Sequence, residues 1–274
     1  MNISNPNWRY VRLRQSDDIA VVTYDRGDDI NALSLQAMTE LTEAANQIQS
    51  DLNISAVALV GSPKAFSAGR DLKDAALDPR QKSTLLEKRH IAGAGSRLCK
   101  AWNEIEQFTA CGIEGFAIGG GVALAVSLDY RAVGRSSHFR APETALGLSM
   151  SWGSIPRLVN LIGPARTKQF LIHANQRFSA EEVYKWGLVQ EVVDDGDAAK
   201  AAISAAKKAA KIPPVAARMV KRAVDAYANA LSDAIIHMDT DQVLLTENDL
   251  EHLEAVRTFL AKDKPLKKVP DSRG

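Results

Sequence analysis

Three consecutive glycines, Gly119 to Gly121, are followed directly by the apolar run VALAVSL, and this feature most constrains how the chain folds. A Cβ atom at such a turn would keep a ligand away from the backbone, so glycines allow main-chain N–H groups to approach it closely. A helix that begins on this turn directs unpaired N–H groups outward, an arrangement that binds an anion or a developing oxyanion. Taken alone, the triplet is equally well explained as a tight strand-to-helix turn.

Motifs that would assign other chemistry are missing from the sequence. The segment GGGVAL lacks the last glycine of a dinucleotide-binding fingerprint, and no Walker A motif occurs, so nucleotide hydrolysis has no support. The stretch 147–151 lacks the final glycine of a G-x-S-x-G nucleophile elbow. The histidines are scattered, and Cys99 and Cys111 have no metal-type spacing, so neither a metal site nor a disulfide framework is predicted.

The charge balance and hydropathy narrow the range of partners. The chain has 34 basic and 33 acidic residues, whereas a nucleic-acid-binding protein normally carries a basic excess or patch. No apolar run is long enough to cross a bilayer, and residues 1–15 lack the apolar core of a secretion signal. We therefore expect a cytoplasmic protein with reduced thiols that binds neither nucleic acid nor membrane.

The order of the predicted elements indicates an α/β fold. Strands are predicted at 10–13, 19–24, 56–60, 111–114 and 129–133. One helix is predicted to begin after the N-cap Ser34, and another begins at Val122, directly after the glycines. The stretch 71–89 is polar and weakly periodic, and it is predicted to be a mobile excursion leading into a helix near 91–108.

The last third of the chain is predicted to be mainly helical. The sequence Ser-Ala-Glu-Glu at 179–182 is a capping box and Gly187 is a helix stop, which predicts a short helix over 180–186. Pro213 and Pro214 break the chain and can start the next helix. Further helical stretches follow, and the closing residues KDKPLKKVPDSRG are predicted to form a frayed basic tail.

A second loop of small residues follows the strand predicted at 56–60. In FSAGRDLK the residues Ser67, Ala68 and Gly69 let the backbone approach a ligand, and the Arg70 N–H could face the same point as the Gly120 N–H. A surface loop is the alternative for this segment considered by itself. Two such loops, each after a short strand, favour an oxyanion hole with two donors, in which one donor is typically worth about 3 kcal/mol.

Glu143, in the segment APETALGL, is the candidate general base. Proline restricts the backbone before it, and the apolar residues after it predict partial burial, which raises the proton affinity of a carboxylate. A carboxylate that stabilises the start of a helix is the alternative. Trp152 is a candidate pocket residue or a core aromatic, and Asp129 and Arg131 are expected to form a structural ion pair.

These motifs together resemble the crotonase superfamily, the enoyl-CoA hydratases and isomerases. The resemblance covers most of the chain, and single motifs of this kind are only moderately specific. Five matching segments occur in family order: NAL at 31–33, FSAGRDLK at 66–73, GFAIGGG with the VALAVSLDYR run at 115–131, PETALGL at 142–148, and FSAEEVYKWGLVQEVV at 178–193. Their occurrence in this order makes the resemblance strong.

The resemblance implies an α/β fold, a crotonase-like spiral of ββα turns with a helical C-terminal region. Residues 1–200 would form the spiral core with the acyl-CoA site, and residues 201–274 the helices that join subunits into a homotrimer or a hexamer. The substrate would be an acyl-CoA thioester, with coenzyme A as part of the substrate and no other cofactor.

The resemblance also implies roles for individual residues. The backbone N–H groups of Arg70 and Gly120 would hold the thioester oxygen, and Glu143 would be the acid and base. Lys73 and the basic C-terminal tail are candidates to bind the phosphates or the adenine of coenzyme A. The remaining substrate-binding candidates are Ala68, Asp71, Leu72, Gly119, Ala123, Leu148, Met150 and Trp152.

One departure from the family pattern separates the functional hypotheses. The resemblance implies that hydratases carry a second glutamate two positions past the third glycine, and Ala123 occupies that position here. Hydration must activate a water molecule and deliver a proton, which two carboxylates do well, whereas moving a double bond needs one base. The first hypothesis is therefore an isomerase that converts 3-enoyl-CoA into 2-enoyl-CoA.

Other activities stay open at this stage. One is a hydratase that uses Glu143 alone, and another is a homologue that binds acyl-CoA without turnover. A thioester hydrolase is also possible, whereas a dehalogenase would need a carboxylate nucleophile that the stretch 147–153 does not contain.

Overall fold

The computed structural model describes residues 7–77 and 83–262. The strands are β1 (Val11–Ser16), β2 (Ile19–Tyr24), β3 (Ala56–Val60), β4 (Phe108–Ile113), β5 (Phe116–Ile118), β6 (Tyr130–Gly134), β7 (His138–Arg140), β8 (Phe178–Ser179) and β9 (Glu191–Val193). The helices are α1 (Leu35–Ser50), α2 (Leu85–Ala92), α3 (Ala94–Asn103), α4 (Gly120–Ala125), α5 (Ser154–Ile172), α6 (Ala180–Trp186), α7 (Ala198–Ala210), α8 (Pro214–Ala228), α9 (Asp233–Ile236), α10 (Asp239–Glu247) and α11 (Leu250–Lys262). None of the helices in these ranges is long and apolar enough to span a membrane.

Two sheets organise the first two-thirds of the chain. The larger sheet has the strand order β1-β2-β3-β4-β6-β9 and is parallel except for the antiparallel pair β1 and β2. The smaller sheet has the order β5-β7-β8. An isolated parallel bridge between Ser67 and Ala117 adds the segment after β3 to the edge of this smaller sheet.

The chain therefore repeats one supersecondary unit. A strand of the larger sheet is followed by a strand or bridge of the smaller sheet, and then by helix, as in β4-β5-α4 and β6-β7-α5. The predicted α/β spiral of ββα turns with a helical C-terminal region is confirmed. This repetition matters for function because the ends of successive units lie side by side, which brings loops far apart in sequence to one place.

Most of the helix caps, stops and starts predicted from the sequence lie at the ends of helices in the structure. Ser34 caps α1 by accepting a hydrogen bond from the Ala37 N–H, and Ser179 and Glu182 form the capping box of α6. Gly187 ends α6 in the left-handed conformation, and Pro214 begins α8. These signals work because they satisfy backbone groups at helix ends, independently of the rest of the fold.

Two predictions of local structure are wrong. The helix expected near 91–108 begins earlier, at Leu85, where Thr84 and Glu87 form a capping box, and it breaks at Gly93. Asp129 pairs with Lys221 at 2.6 Å and not with Arg131. The guanidinium of Arg131 donates instead to main-chain carbonyls, which replace the water it loses on burial: Leu188, Ala125, Leu128 and Asp129. The part of the predicted excursion at 78–82 and the tail at 263–274 lie outside the described residues.

Helix α7 includes residue 200, where the sequence predicts the boundary between core and C-terminal region. Its residues Ala198, Ala202 and Ala206 are fully buried, and the helix packs on β3, β4 and β6. A Cβ atom on Gly112 of β4 would lie 2.7 Å from the Ala198 carbonyl oxygen, so small residues on both elements allow this close approach. Helix α7 thus covers one face of the larger sheet.

Candidate active site

The first component of the site is the loop that follows β3. The Leu33 N–H donates to the Gly69 carbonyl at 2.7 Å, and the Asp71 N–H donates to the Leu33 carbonyl at 3.0 Å. In a parallel bridge of this kind the residue between the two bonded positions directs its own N–H away from its partner. The Arg70 N–H therefore points away from Leu33, and it makes no backbone hydrogen bond within 7–77 and 83–262.

The side chain of Asn31 fixes the position of this loop. Asn31 is fully buried with φ of +50°, and its amide donates to the carbonyls of Tyr24 at 3.0 Å and Phe66 at 2.9 Å. Asparagine tolerates this left-handed backbone better than most residues. One side chain thus joins the end of β2 to the loop that carries Arg70.

The second component is the glycine turn between β5 and α4. Gly119 has φ of +53° and ψ of −117°, and its N–H donates to the Arg140 carbonyl at 2.8 Å. Gly120 is the first residue of α4, so its N–H has no acceptor within the helix. Helix α4 has only six residues, so its dipole is small. The N–H groups of its first turn, which have no acceptor within the helix, are therefore what would attract a negative charge at this turn.

Two glycines allow these components to meet. A Cβ atom on Gly69, where φ is +81°, would lie 2.5 Å from the Ile118 carbonyl oxygen and 2.9 Å from the Gly120 nitrogen. A Cβ atom on Gly119 would lie 2.4 Å from Oε1 of Glu143. Both positions therefore exclude a side chain, and the Gly69–Arg70 backbone, the Gly120 nitrogen and the Glu143 carboxylate lie together.

Glu143 follows β7 and Pro142 and is held by its own backbone. Its carbonyl oxygen accepts hydrogen bonds from the N–H groups of Leu146 at 2.9 Å and Leu148 at 2.8 Å, and its side chain caps no helix. Glu143 thus lies at the start of a short 3-10 helix, Thr144–Leu146, as the alternative of a helix-start carboxylate expects, but its side chain makes no capping hydrogen bond there. Its Oε2 atom is inaccessible to solvent and has no hydrogen-bond partner among the described residues.

Burial sets the acidity of this carboxyl group. Loss of solvation raises the pKa of Glu143 to about 7, and the positive charge of Arg140 opposes only part of the rise. A carboxyl group with a pKa near neutrality can both accept and return a proton at physiological pH. The geometry therefore places a carboxyl group with a near-neutral pKa close to the backbone of Gly69–Arg70 and of Gly120.

These groups line one cavity of about 730 Å³. Every site residue predicted from the sequence is among its lining residues: Ala68, Arg70, Asp71, Leu72, Lys73, Gly119, Gly120, Ala123, Glu143, Leu148, Met150 and Trp152. The structure thus brings together predicted site residues that lie up to 84 positions apart in the sequence, from Ala68 to Trp152, as follows from the repeated ββα unit. The individual roles of these residues stay predictions.

The wall of the cavity beside the glycine turn is apolar. Trp152 has φ of +62°, and its indole lies against both Gly95 and Gly120, where a Cβ atom on either glycine would overlap the ring. Met150 and Ala123 are buried in the same wall. Trp152 therefore lines the cavity and also packs against the hydrophobic core.

The carboxylates around the cavity have different environments. Asp71 is paired with Arg26 at 2.7 Å, and Glu254 of α11 is exposed. Glu143 is the one whose carboxylate oxygen is buried without a partner in the ranges described. Those ranges also contain no group of three or more histidine, cysteine, aspartate or glutamate residues that could hold a metal ion.

Sequence reasoning missed the contribution of the C-terminal helices to this cavity. Val243 of α10 and Glu254, Ala255 and Thr258 of α11 line it. The guanidinium of Arg70 also forms an ion pair with Glu247 of α10, whose side chain is 3% exposed. The one available signal was the spacing of Asp239, Val243 and Glu247, which places two carboxylates and a valine on one helical face.

Comparison with known proteins gives a consistent assignment. A family model described as enoyl-CoA hydratase/isomerase matches residues 14–268. A short-chain-enoyl-CoA hydratase from Clostridium acetobutylicum is 28% identical over 93% of this chain and 95% of its own length. A 1,2-epoxyphenylacetyl-CoA isomerase from Escherichia coli is 27% identical over 90% of this chain and 94% of its own length.

The fold also has counterparts among solved structures. A crystal structure of an enoyl-CoA hydratase/isomerase from Pseudoalteromonas atlantica superposes with a TM-score of 0.82. The superposition covers 93% of this chain and 98% of that one, at 24% identity. At this identity the likeness concerns the fold, and both hydratase and isomerase names occur among the sequence relatives.

Proposed function

The chain belongs to the enoyl-CoA hydratase/isomerase family, and from this membership we propose that it is an isomerase that converts 3-enoyl-CoA into 2-enoyl-CoA. Membership makes it an enzyme of the hydratase/isomerase type, and an acyl-CoA thioester is the substrate that fits the family. The choice of isomerisation over hydration depends on which residues this chain carries at the site.

The observation that carries the proposal is that Glu143 lies against the glycine turn while an alanine, Ala123, occupies the position of a second glutamate. Ala123, one turn into α4, is 1% exposed and lines the cavity where the family resemblance implies a second glutamate for hydratases. A methyl group cannot hydrogen-bond a water molecule, so nothing at this position helps to hold the nucleophile of a hydration. A single carboxylate with a pKa of about 7 suits reversible proton transfer instead.

The proposed reaction moves one proton and one double bond. The Glu143 carboxylate removes a proton from C2, and the electrons of the C2–H bond form a dienolate over the thioester carbonyl and the C3–C4 double bond. The N–H groups of Arg70 and Gly120 stabilise the negative charge on the thioester oxygen. Glu143 then returns the proton to C4, which leaves a C2–C3 double bond, and no cofactor beyond the coenzyme A of the substrate is consumed.

The proposed orientation of the substrate follows the polarity of the cavity. The apolar wall of Trp152, Met150 and Ala123 suits the acyl chain, and the apolar Leu148 also lines the cavity. Lys73, exposed at the edge of the loop after β3, suits the phosphates of coenzyme A. The trimer or hexamer stays a prediction, which the exposed apolar side chains of Val215, Met219, Val224 and Tyr227 on α8 support.

Activity assays separate the candidate functions. We expect trans-3-hexenoyl-CoA to gain the ultraviolet absorbance of a conjugated thioester when the enzyme is added, with no change in mass. Crotonyl-CoA should lose this absorbance more slowly, because hydration lacks its second carboxylate. Faster hydration of crotonyl-CoA than isomerisation would favour a single-glutamate hydratase, and tight binding of both thioesters without turnover would favour an acyl-CoA-binding homologue.

The pH dependence of the reaction tests the role of Glu143. Proton abstraction needs the ionised carboxylate, so kcat/KM should rise with pH and level off above the raised pKa of about 7. Below it, the rate should fall by about tenfold per pH unit. The measurement is initial isomerisation rate from pH 5 to 9, and a limb centred near 4.5 would contradict a buried base.

A variant at Arg140 gives this pH profile an internal check. The Arg140 charge lowers the pKa of Glu143, so Arg140→Gln should shift the acid limb to higher pH. Arg135→Gln is the matched control, since Arg135 pairs with Glu181 on the surface and lines no part of the cavity. An unchanged limb in the Arg140 variant would mean that another group titrates.

A further inference from the structure

Helix α10 directs two carboxylates into the protein. Its buried residues are Asp239, Val243 and Glu247, which are spaced four apart and so share one face. Val243 lines the cavity. Buried carboxylates are costly unless they have partners, so the groups that Asp239 and Glu247 bind indicate what this face does.

Glu247 binds the residue that carries one proposed oxyanion donor. One terminal nitrogen of the Arg70 guanidinium donates to Oε1 of Glu247, and the other donates to the Leu77 carbonyl at 2.8 Å. The Glu247 side chain is 3% exposed and that of Arg70 is 22% exposed. The side chain of Arg70 is therefore held on both sides, and Arg70 lines the cavity.

Asp239 binds the turn that packs on the other proposed donor. Its Oδ2 accepts a hydrogen bond of 2.7 Å from the Gly153 N–H. Trp152 and Gly153 both have positive φ, and the Trp152 carbonyl accepts a hydrogen bond from Arg157 at 3.0 Å. These bonds hold the Trp152 indole against Gly120.

We propose that α10 is a positioning element for the oxyanion site: Glu247 orients the Arg70 N–H through the Arg70 guanidinium, and Asp239 orients the Gly120 N–H through the Trp152 turn. Glu247 and Asp239 are positioning residues, since they touch groups that touch the substrate. The inference rests on the proposed oxyanion site with two donors. It adds that α10, which lies more than a hundred residues away in the sequence, controls the geometry of that site.

The same helix carries a matched control. Asp241 lies on α10 and pairs with Arg89 of α2 at 2.7 Å, with both side chains well exposed. This ion pair attaches α10 to the protein without touching either donor loop. Asp241→Ala thus loosens α10 in general, whereas Glu247→Ala releases Arg70.

Kinetics give the first readout. Glu247→Ala should lower kcat for trans-3-hexenoyl-CoA by about 10- to 100-fold with little change in KM, because a donor displaced by a fraction of an ångström stabilises the oxyanion poorly. Asp241→Ala should stay within about threefold of the wild type. Equal losses in the two variants, or a Glu247 variant with unchanged kcat, would overturn the proposal.

A spectroscopic measurement distinguishes a positioning role of Glu247 from a purely structural one. The probe 4-dimethylaminocinnamoyl-CoA has a donor–acceptor chromophore, so its absorbance shifts to longer wavelength when N–H groups polarise its carbonyl. Glu247→Ala should lose much of this shift while the Kd stays similar. A full shift with a reduced melting temperature would assign Glu247 a purely structural role and overturn the proposal.

Two further variants keep the test decisive. Arg70→Met retains the backbone N–H and removes the guanidinium, so it should reproduce the loss of shift, even where Glu247→Ala does not fold. The double variant should be no worse than Arg70→Met alone, because that variant already breaks the contact with Glu247. Since the probe reports carbonyl polarisation, wild-type enzyme that shifts the probe but does not isomerise 3-enoyl-CoA would refute the isomerase and leave the positioning proposal standing.

Discussion

Glu143→Gln is expected to reduce isomerisation of 3-enoyl-CoA by about 10²- to 10⁴-fold, the usual contribution of a positioned general base. Glutamine keeps the shape of the side chain and cannot accept a proton from C2. The other carboxylates among the described residues that line the cavity are poor substitutes, since Asp71 is paired with Arg26 and Glu254 is exposed. The measurement is kcat from the formation of the conjugated thioester, with KM expected to change little.

The same variant should be more stable than the wild type at alkaline pH. The pKa of Glu143 is raised from 4.5 to about 7 in the folded protein, so the wild type loses stability between pH 4.5 and 7, where the unfolded chain ionises first, and the full penalty is present above pH 7. Removing this penalty should increase the free energy of unfolding at pH 8 by about 1–3 kcal/mol, and the gain should vanish below pH 4.5 where both states are protonated. Denaturant unfolding at the two pH values measures this difference.

Glu251→Gln is the matched control, since Glu251 is exposed on α11 and lines no part of the cavity. It should leave both the rate and the stability near wild-type values. A Glu143→Gln variant that retains a rate within about tenfold of the wild type, a difference of roughly 1.4 kcal/mol in the barrier, would remove Glu143 from the role of base.

The parts of the site that the sequence predicts are those set by local constraints. Gly119 and Gly69 have positive φ and a close neighbour where a Cβ atom would lie, the Glu143 carboxylate at Gly119 and the Ile118 carbonyl at Gly69, and glycine is the residue that allows both. Glu143 follows a proline and precedes apolar residues, so its burial was predictable from its neighbours. The capping boxes and the Pro214 helix start depend on backbone groups within one turn, and these elements form where the sequence indicates them.

The parts that the sequence does not predict depend on contacts between distant elements. Helix α5 is interrupted by Gly163 and Pro164, which hide its apolar periodicity. Arg131 was expected to pair with Asp129, but its side chain meets carbonyls that α4 and the loop before β9 bring to it. The pairing of Arg70 with Glu247 joins positions 177 apart, and no pattern along the chain indicates it.

Gly69→Ala is expected to have the second large effect, a loss of about 10²- to 10³-fold in kcat, as for removal of one oxyanion donor. The new methyl group would lie 2.5 Å from the Ile118 carbonyl oxygen and 2.9 Å from the Gly120 nitrogen, so the two loops must separate. The Arg70 and Gly120 N–H groups would then no longer converge on one oxygen. The measurements are kcat and the absorbance shift of bound 4-dimethylaminocinnamoyl-CoA, which should both decrease.

Backbone strain must be separated from this displacement, because Gly69 has φ of +81° and alanine there is strained in any surroundings. Gly196→Ala is the matched variant: Gly196 has φ of +92°, and a Cβ atom on it would meet no atom within 4 Å. Both variants should lose about 1–2 kcal/mol of stability through the left-handed backbone, and only Gly69→Ala should lose catalysis and the absorbance shift. Equal kcat values in the two folded variants would mean that the Gly69 loop does not hold the thioester oxygen, because separating the loops would then leave the rate unchanged.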